Sequence, residues 1–198
     1  MGYNLNKSEK GVIYIILYHG TLEAYASDIL RNGINLNKSK LLLDFGPGFY
    51  TTDSLKFAQN TGQFRAKRYN AFHPNHKTGW KVIRLVCDDN IFQQMRAKMF
   101  LSPDKEWGKF VVVNRCENKK VQTAYDNNIQ KAYDIVSGPT ADGAGTLTPI
   151  LEQVNKGILS LEDIDYSCIA PSKNSAWGSQ TSFHTLKSLS CITEISVL

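Results

Sequence analysis

The chain has 198 residues, of which 42% are hydrophobic and 21% are charged. This ordinary globular balance excludes a low-complexity chain, and the length suits one domain over residues 1–198 with a sizeable core. The formal net charge of +5 favours polyanionic partners only mildly and does not by itself indicate nucleic-acid binding.

The cysteines and the amino-terminal segment bear on the cell compartment. The four cysteines, at positions 87, 116, 168 and 191, have no zinc or redox spacing, so we expect reduced thiols rather than a disulfide scaffold. The first residues lack the hydrophobic core of a signal peptide, and the apolar run Val12–Tyr18 is too short to cross a bilayer. These features predict a cytoplasmic protein without membrane contact, and the sequence leaves open export by a route without a signal peptide.

The first elements in chain order are a strand and a helix. The β-favouring run Val12–Tyr18 predicts a buried strand that ends in a tight turn at His19 and Gly20. Thr21 is expected to cap the helix that follows, and Gly33 is expected to end it.

The alternation of helices and strands continues to the end of the chain. Ser54 is expected to cap a second helix that runs to about Tyr69, and residues 70–79 are predicted to form a loop. The pattern predicts an α+β fold, and the lack of a repeat or a linker favours a single domain. The remaining predicted elements are strands at Trp80–Cys87, Tyr133–Ser137, Thr181–Thr185 and Cys191–Leu198, and helices at Ile91–Met99, after Pro103, at Leu147–Lys156 and at 160–168.

The stretch Asp44–Thr52 reads DFGPGFYTT and allows three interpretations. Its first triplet is the metal-binding triplet of protein kinases, but no glycine-rich loop and no catalytic Asp-Asn loop precede it. A dinucleotide fingerprint at Gly46 and Gly48 is also disfavoured, because the third glycine and the following helix are missing. We favour a glycine turn that leads into a strand, with Tyr50 either at the edge of a cleft or packed half-buried in a core.

Two further places combine polar side chains with predicted strands. A lone histidine such as His19 is usually a satisfied core residue, yet at a strand end it can also bind a ligand beside exposed backbone groups. If the segment 179–185 is a strand, Gln180, Ser182 and His184 share one face. The amide of Gln180 could then bind a sugar hydroxyl at the strand's entrance.

Three separated segments, HGT at 19–21, GFYTT at 48–52 and SQTSFHT at 179–185, resemble conserved pieces of the ADP-ribosyltransferase superfamily. They resemble its poly(ADP-ribose) polymerase and diphtheria-toxin-like branch, whose signature is His, Tyr and then an acidic or amide residue. The chain is more similar still to a bacterial family of unknown function with the motifs LYHG, DFGxGFYTT, EWxxFVxxNR, YDIVxGPxADx and QxxFHT, which span about 17 to 190. The resemblance implies a split pair of small, mostly antiparallel sheets that hold NAD in a cleft, with helices around them.

The resemblance also implies roles for single residues. His19 would bond a ribose hydroxyl of NAD, Tyr50 would stack on the nicotinamide ring, and Gln180 would face the nicotinamide ribose, so these three form the expected catalytic set. The Gly20 backbone would hold the nicotinamide carboxamide, and Phe57 would cover the other face of the ring. The expected cofactor-binding set is His19, Gly20, Thr21, Gly48, Tyr50 and Phe57.

The activity implied by the resemblance is mono-ADP-ribosyl transfer from NAD to a macromolecular acceptor, either protein or nucleic acid. Gln180 stands where the polymerases carry glutamate, and an amide cannot deprotonate an acceptor hydroxyl, which disfavours chain elongation. Asp44 and Asp142 are candidate helpers, or else residues that stabilise turns. No metal site is predicted, because the His73-x-x-His76 pair has no third ligand nearby.

Several alternatives stay open at this point. The cleft could bind NAD or ADP-ribose without turnover, or it could use water as the acceptor and act as an NAD glycohydrolase. The basic segment 65–84 is a solvated surface, a site for the NAD pyrophosphate or a site for a nucleic-acid acceptor. The biological role suggested by the resemblance is that of a bacterial toxin or phage-defence effector, which would have a neutralising antitoxin as partner.

Overall fold

The apolar run near the amino terminus forms a longer strand than its composition predicts. In the computed structural model, which describes residues 5–7, 13–141, 144–171 and 178–198, this strand, β2, spans Ile13–Leu22. It pairs antiparallel with Trp80–Asp88, with His19 opposite Ile83 and Gly20 opposite Val82. The predicted tight turn at His19 and Gly20 is therefore wrong, because a long partner strand continues the ladder through both residues.

The strands of the described ranges form two four-stranded sheets. They are β1 Leu5–Lys7, β2 Ile13–Leu22, β3 Phe49–Thr51, β4 Trp80–Asp88, β5 Ala97–Met99, β6 Ile135–Pro139, β7 Ser179–Phe183 and β8 Ile192–Val197. The first sheet has the order β1-β2-β4-β8 and is antiparallel throughout. The second has the order β3-β7-β6-β5, and its β5–β6 pair is parallel. The prediction of an α+β fold with two small, mostly antiparallel sheets is thus confirmed.

The two sheets are tied together at one place, which we call the sheet junction. Tyr18 of β2 and Thr52, which follows β3, exchange two backbone hydrogen bonds of 2.7 and 2.9 Å. The junction therefore lies one residue before His19 on β2 and two residues after Tyr50 on β3. It brings two of the three predicted catalytic residues into neighbouring positions.

The helices follow their capping signals closely where those signals are local. Ser54 caps α2 (Leu55–Phe72) by accepting a hydrogen bond from the amide of Phe57, and Gly33 ends α1 (Glu23–Asn32) with a φ of 76°, as predicted. The cap predicted at Thr21 is wrong, because that residue is still in β2 and Leu22 precedes the helix. The helices are α1 Glu23–Asn32, α2 Leu55–Phe72, α3 Asp89–Phe92, α4 Lys105–Arg115, α5 Lys119–Ala124, α6 Ala144–Asn155 and α7 Leu186–Leu189, with short 3-10 turns at Leu36–Lys38, Leu161–Asp163 and Tyr166–Ile169.

One predicted helix is replaced by other structure. The spacing of Ile91, Met95 and Met99 predicts a helix, but α3 ends at Phe92 and the chain then forms the short strand Ala97–Met99. This strand pairs with β6 in parallel. A sheet edge that accepts a further strand outweighs the local helical spacing, so the prediction for residues 93–99 is wrong.

The second sheet is covered on both faces. Ile135 on one face of β6 belongs to a core cluster with residues of β2, β4 and β7, whereas Val136 on the other face packs with the residues of α4. All five residues of β6 are buried as a result. Burial on both sides explains why the segment reads as a continuous apolar and small-residue run.

Helix α2 approaches the first sheet closely through small residues. Ala58, Gly62 and Ala66 recur every four residues and form its buried face, together with Phe57 in the first turn. The sheet contributes Gly20, where a side-chain carbon would lie 1.7 Å from the carbonyl oxygen of Ala58. Gly20 therefore has a packing function in addition to any ligand contact.

Candidate functional site

His19 lies at the sheet junction and uses one ring nitrogen to contact the backbone of β3. Its Nδ1 is 2.6 Å from the carbonyl oxygen of Tyr50, and its ring packs on Phe49 with centroids 4.5 Å apart. Burial and the charge of Arg65 lower the pKa of His19 to about 3, although the Tyr50 carbonyl acts in the opposite sense. The imidazole is therefore neutral at neutral pH.

The tautomer of His19 follows from this contact. A carbonyl oxygen can only accept a hydrogen bond, so Nδ1 of the neutral ring carries the proton and donates it to Tyr50. Nε2 is then a hydrogen-bond acceptor, and none of the described residues donates to it. An acceptor nitrogen beside the sheet junction suits a ligand hydroxyl.

A second histidine is buried next to the same strand pair. His184, with 0% of its surface exposed, directs Nδ1 to the Pro47 carbonyl and Nε2 to the Ser182 hydroxyl, both at 2.8 Å. Burial lowers the pKa of His184 to about 4, while the Pro47 carbonyl raises it and Lys131 lowers it further. Its ring also fills the space beside Gly48, where a side-chain carbon would lie 2.7 Å from Nδ1.

These two histidines predict a loss of stability in mild acid. Both have a pKa below the unfolded value of 6.5, so the unfolded chain binds protons that the folded chain does not. The stability is complete above pH 6.5 and is lost as the pH falls towards 4. His184 alone lowers the free energy of unfolding by about 2 kcal/mol between pH 7.5 and pH 5, and His19 acts in the same direction.

Urea unfolding at pH 7.5 and pH 5 measures this loss before most unfolded carboxylates titrate. The exposed His73 provides the control, because His73→Gln is expected to leave the difference between the two pH values unchanged. Equal free energies of unfolding at the two pH values would contradict the burial of neutral histidines.

Tyr50 holds the glycine turn through its hydroxyl. The hydroxyl donates to the Gly46 carbonyl at 2.7 Å and accepts from the Phe45 amide at 2.9 Å. Burial and the nearby Asp44 carboxylate raise the pKa of Tyr50, so its hydroxyl stays protonated. Because the hydroxyl is occupied by backbone, only the half-buried ring can serve a ligand.

Gln180 is part of a buried polar cluster that joins three distant segments. Its Nε2 donates to Oδ2 of Asp44 at 2.9 Å, and Arg115 donates to Oδ1 of Asp44 at 2.6 Å. The Ala141 amide also donates to Oδ2, at 3.2 Å. Gln180 and Asp44 are only 8% and 7% exposed. The Oε1 atom of Gln180 accepts no hydrogen bond from the residues that the structure describes.

The turn that carries Asp44 is also fixed from the α4 side. Gly46 has a φ of 83°, and a side-chain carbon there would lie 2.8 Å from the Asn128 carbonyl oxygen. Asn114 accepts a hydrogen bond from the Asn128 amide at 2.8 Å, next to the Arg115 that pairs with Asp44. The Asn-Arg end of the EWxxFVxxNR motif therefore holds the DFG turn in place.

The structure brings most of the predicted site residues to the sheet junction. His19 touches the Tyr50 backbone, and the Asp44–Gly46 turn connects the Tyr50 hydroxyl with the Gln180 amide. Phe57 approaches the same place, because its Cδ1 is 3.6 Å from the side-chain position at Gly178, two residues before Gln180.

Thr21 and Gly48, which are also predicted to contact the ligand, are both buried within the protein. Thr21 is 2% exposed and opposite Lys81 in the ladder. Gly48 exchanges hydrogen bonds with the Ser39 hydroxyl through both its amide and its carbonyl. Their contacts with a ligand stay predictions. The candidate helper Asp142 lies outside the described residues.

Sequence reasoning did not identify Arg65 and Arg115 as parts of the site. Arg65 donates to the Gly20 carbonyl at 3.0 Å and so contacts part of the backbone expected to hold a carboxamide. Its only sequence signal is its membership of the basic segment. Arg115 is visible in the sequence as part of a motif, but its partner Asp44 is 71 residues away.

The arrangement offers a ligand a neutral imidazole acceptor, one aromatic face and one amide oxygen. These groups suit a hydroxylated, flat, cationic ligand better than a metal ion, which prefers charged or clustered ligands. The described helices include none that is long and apolar enough to cross a membrane.

Comparisons with known proteins give one finding. No curated protein and no solved structure matches the chain significantly. Residues 15–193 match the family described as "Protein of unknown function (DUF3990)", and this range contains every residue of the site discussed above. Because the match covers most of the chain, the protein belongs to the DUF3990 family.

Proposed function

We propose that the protein is an NAD-dependent mono-ADP-ribosyltransferase that acts on a macromolecular acceptor in the cytoplasm. The observation that carries the proposal is the grouping at one sheet junction of an unprotonated His19 Nε2 to which no described residue donates, the Tyr50 ring and the Gln180 amide. The motifs of this chain resemble those of the ADP-ribosyltransferases and follow one another in the same order along the sequence. A role as toxin or defence effector, with a neutralising antitoxin, belongs to the same proposal.

The chemistry needs little from the protein beyond positioning. The bond between the ribose C1′ and the nicotinamide nitrogen breaks, and its electron pair leaves with neutral nicotinamide. An oxygen or nitrogen of the acceptor bonds to C1′ and releases its proton to solvent. His19 and the Tyr50 ring would hold the ribose and nicotinamide in the reactive pose, which is where orientation lowers the barrier.

The side chains at the junction favour transfer of a single unit. Both carboxylate oxygens of Asp44 already accept hydrogen bonds, and Gln180 carries no charge. Neither group is suited to remove a proton from a ribose hydroxyl, so the acceptor must bring its own nucleophile. The same amide also favours a second candidate, a module that binds NAD or ADP-ribose without turnover.

Incubation with NAD labelled in its adenine, with lysate as acceptor, distinguishes the candidates. Transfer predicts label on a macromolecule together with free nicotinamide, whereas a binding module predicts bound and unchanged NAD. Free ADP-ribose as the only labelled product would identify a glycohydrolase. NAD that is neither bound nor cleaved would contradict the proposal.

Substitutions of Tyr50 separate its ring from its hydroxyl. Tyr50→Ala is expected to weaken NAD binding about tenfold, because the stacking surface is lost. Tyr50→Phe keeps the ring and should bind NAD normally, while its two lost hydrogen bonds lower the free energy of unfolding by about 2 kcal/mol.

Calorimetry with NAD and urea unfolding measure the two effects. Tyr25→Ala, at an exposed tyrosine on α1, is the control and should change neither quantity. If Tyr50→Ala binds NAD as tightly as the wild type, the ring does not contact the ligand and the proposed pose is wrong.

A further inference from the structure

The stretch between Asp53 and Asp88 contains no acidic residue. Arg84 pairs with Glu194 and Lys81 with Glu23, and the other five cations form no ion pair within the described ranges. On the surface of a helix, opposite charges one turn apart are stabilising and like charges are destabilising. The absence of acids from this stretch argues for an external anion. Its cations are Lys56, Arg65, Lys67, Arg68, Lys77, Lys81 and Arg84.

The outer side of α2 also exposes aromatic rings. Phe64 and Phe72 are 56% and 73% exposed, and Arg68 lies midway between them at a spacing of four residues. Residues at this spacing share one side of a helix, so the three form a row about 12 Å long. Arg65, three residues before Arg68, lies at the edge of this row, and its guanidinium extends towards β2. We call these four residues the α2 stripe.

The stripe reaches the candidate site through Arg65. Its guanidinium donates to the Gly20 carbonyl, and its charge acts on the neighbouring His19. A ligand that lies along the stripe therefore extends towards the sheet junction. The opposite side of α2 is committed to the fold through Ala58, Gly62 and Ala66.

We propose that the α2 stripe binds single-stranded nucleic acid and presents it to the sheet junction as the acceptor of ADP-ribose. Arginines interleaved with exposed aromatic rings provide contacts to phosphates and stacking surfaces for unpaired bases. The acceptor role rests on the proposed function: a nucleophilic nitrogen or oxygen of a base attacks C1′ of NAD, nicotinamide leaves with the bonding electrons, and the proton passes to water. The binding itself does not depend on NAD.

Fluorescence anisotropy with a labelled 20-nucleotide single strand tests the binding. Phe64→Ala with Phe72→Ala is expected to weaken binding at least tenfold at fixed salt, because two stacking contacts are lost. Arg65→Gln with Arg68→Gln is expected to reduce the slope of log affinity against log salt by about 1.4, because two phosphate contacts are lost. Thermal unfolding of each variant verifies that it folds.

Matched controls remove cationic side chains and an aromatic ring outside the α2 stripe. Lys119→Gln with Lys120→Gln removes two exposed charges from α5, and Tyr25→Ala removes an exposed ring from α1. Both should bind the strand within about twofold of the wild type, since neither lies on α2. Equal losses in the control and stripe variants would overturn the proposal. Stripe-dependent binding of anionic lipid vesicles without binding of the strand would also overturn it.

A transfer assay on the same strand separates this inference from the proposed function. Label from NAD on the oligonucleotide, reduced in the Phe64 and Phe72 variant, is the expected result. Label on protein acceptors alone would overturn the acceptor role while leaving the proposed activity intact. No nicotinamide release with any acceptor would overturn the proposed activity, and the anisotropy result would still decide whether the stripe binds nucleic acid.

Discussion

Gly20→Ala is expected to lower the free energy of unfolding by roughly 3 kcal/mol. The added carbon would lie 1.7 Å from the Ala58 carbonyl oxygen and 2.8 Å from the Gly62 amide nitrogen. Both are backbone atoms, so no side-chain rotation relieves the overlap, and α2 must move away from β2. For a chain of this size the melting temperature should fall by about 10 °C.

Thermal and urea unfolding measure this effect, and Gly145→Ala is the matched control. Gly145 is in the first turn of α6 with no atom within 4 Å of the added carbon. The control should be neutral or slightly stabilising, because alanine is the better helix residue. A melting temperature for Gly20→Ala within about 2 °C of the wild type would mean that α2 does not pack on Gly20 as described.

The packing at Gly20 also limits what the Gly20→Ala variant can show about a ligand. Gly20 is required for the close approach of α2 even without a ligand. Loss of NAD binding in a destabilised Gly20→Ala protein would therefore not identify a ligand contact. The Tyr50→Phe and Tyr50→Ala pair is the better probe of the ligand, since it separates the two roles within one side chain.

The sequence predicts the elements whose signals are local. The apolar runs of β2 and β4, the end of α1 at Gly33 and the cap of α2 at Ser54 each depend on residues within a few positions of each other. The continuation of β2 through His19 and Gly20 depends on Trp80–Asp88, more than sixty residues away in the chain. A turn-forming pair therefore gives a wrong prediction where a distant strand supplies the hydrogen bonds.

The candidate site shows the same difference between local signals and long-range contacts. The motifs make His19, Tyr50 and Gln180 visible, yet the contacts that hold them are long-range. Gln180 meets Asp44 across 136 positions, and Arg115 meets it across 71. No periodicity or spacing connects such residues, so the partner of the Gln180 amide became apparent only in the fold.

That partner changes what is expected of Gln180→Glu. In a simple comparison with the polymerases, a glutamate would stabilise the cationic ribose and raise NAD hydrolysis. In this fold the new carboxylate would replace a donor 2.9 Å from the Asp44 carboxylate, with both groups buried. Two such carboxylates share one proton instead of both ionising. Gln180→Glu alone is therefore expected to destabilise the protein by about 2 kcal/mol without a clear gain in hydrolysis.

Adding Asp44→Asn to the Gln180→Glu protein should restore part of the lost stability. The pair would again hold one charge and one amide, with the charge moved to position 180, and the asparagine could donate where Gln180 donates now. Asp44→Asn alone deprives Arg115 of its carboxylate and should also destabilise the protein. The double variant is expected to be more stable than the sum of the single effects by about 2 kcal/mol.

The double variant also distinguishes the Gln180–Asp44 hydrogen bond from the effect of residue 180 on NAD hydrolysis. Urea unfolding of the wild type, the two single variants and the double variant gives the coupling energy between positions 44 and 180. Effects that add within about 0.5 kcal/mol would contradict a direct Gln180–Asp44 contact. Nicotinamide release then tests the position of residue 180. A negative charge there should raise NAD hydrolysis about tenfold, which corresponds to 1.4 kcal/mol of transition-state stabilisation. If stability is restored and hydrolysis is unchanged, the side chain at 180 does not face the anomeric carbon, and the ribose must lie on the His19 side of the junction alone.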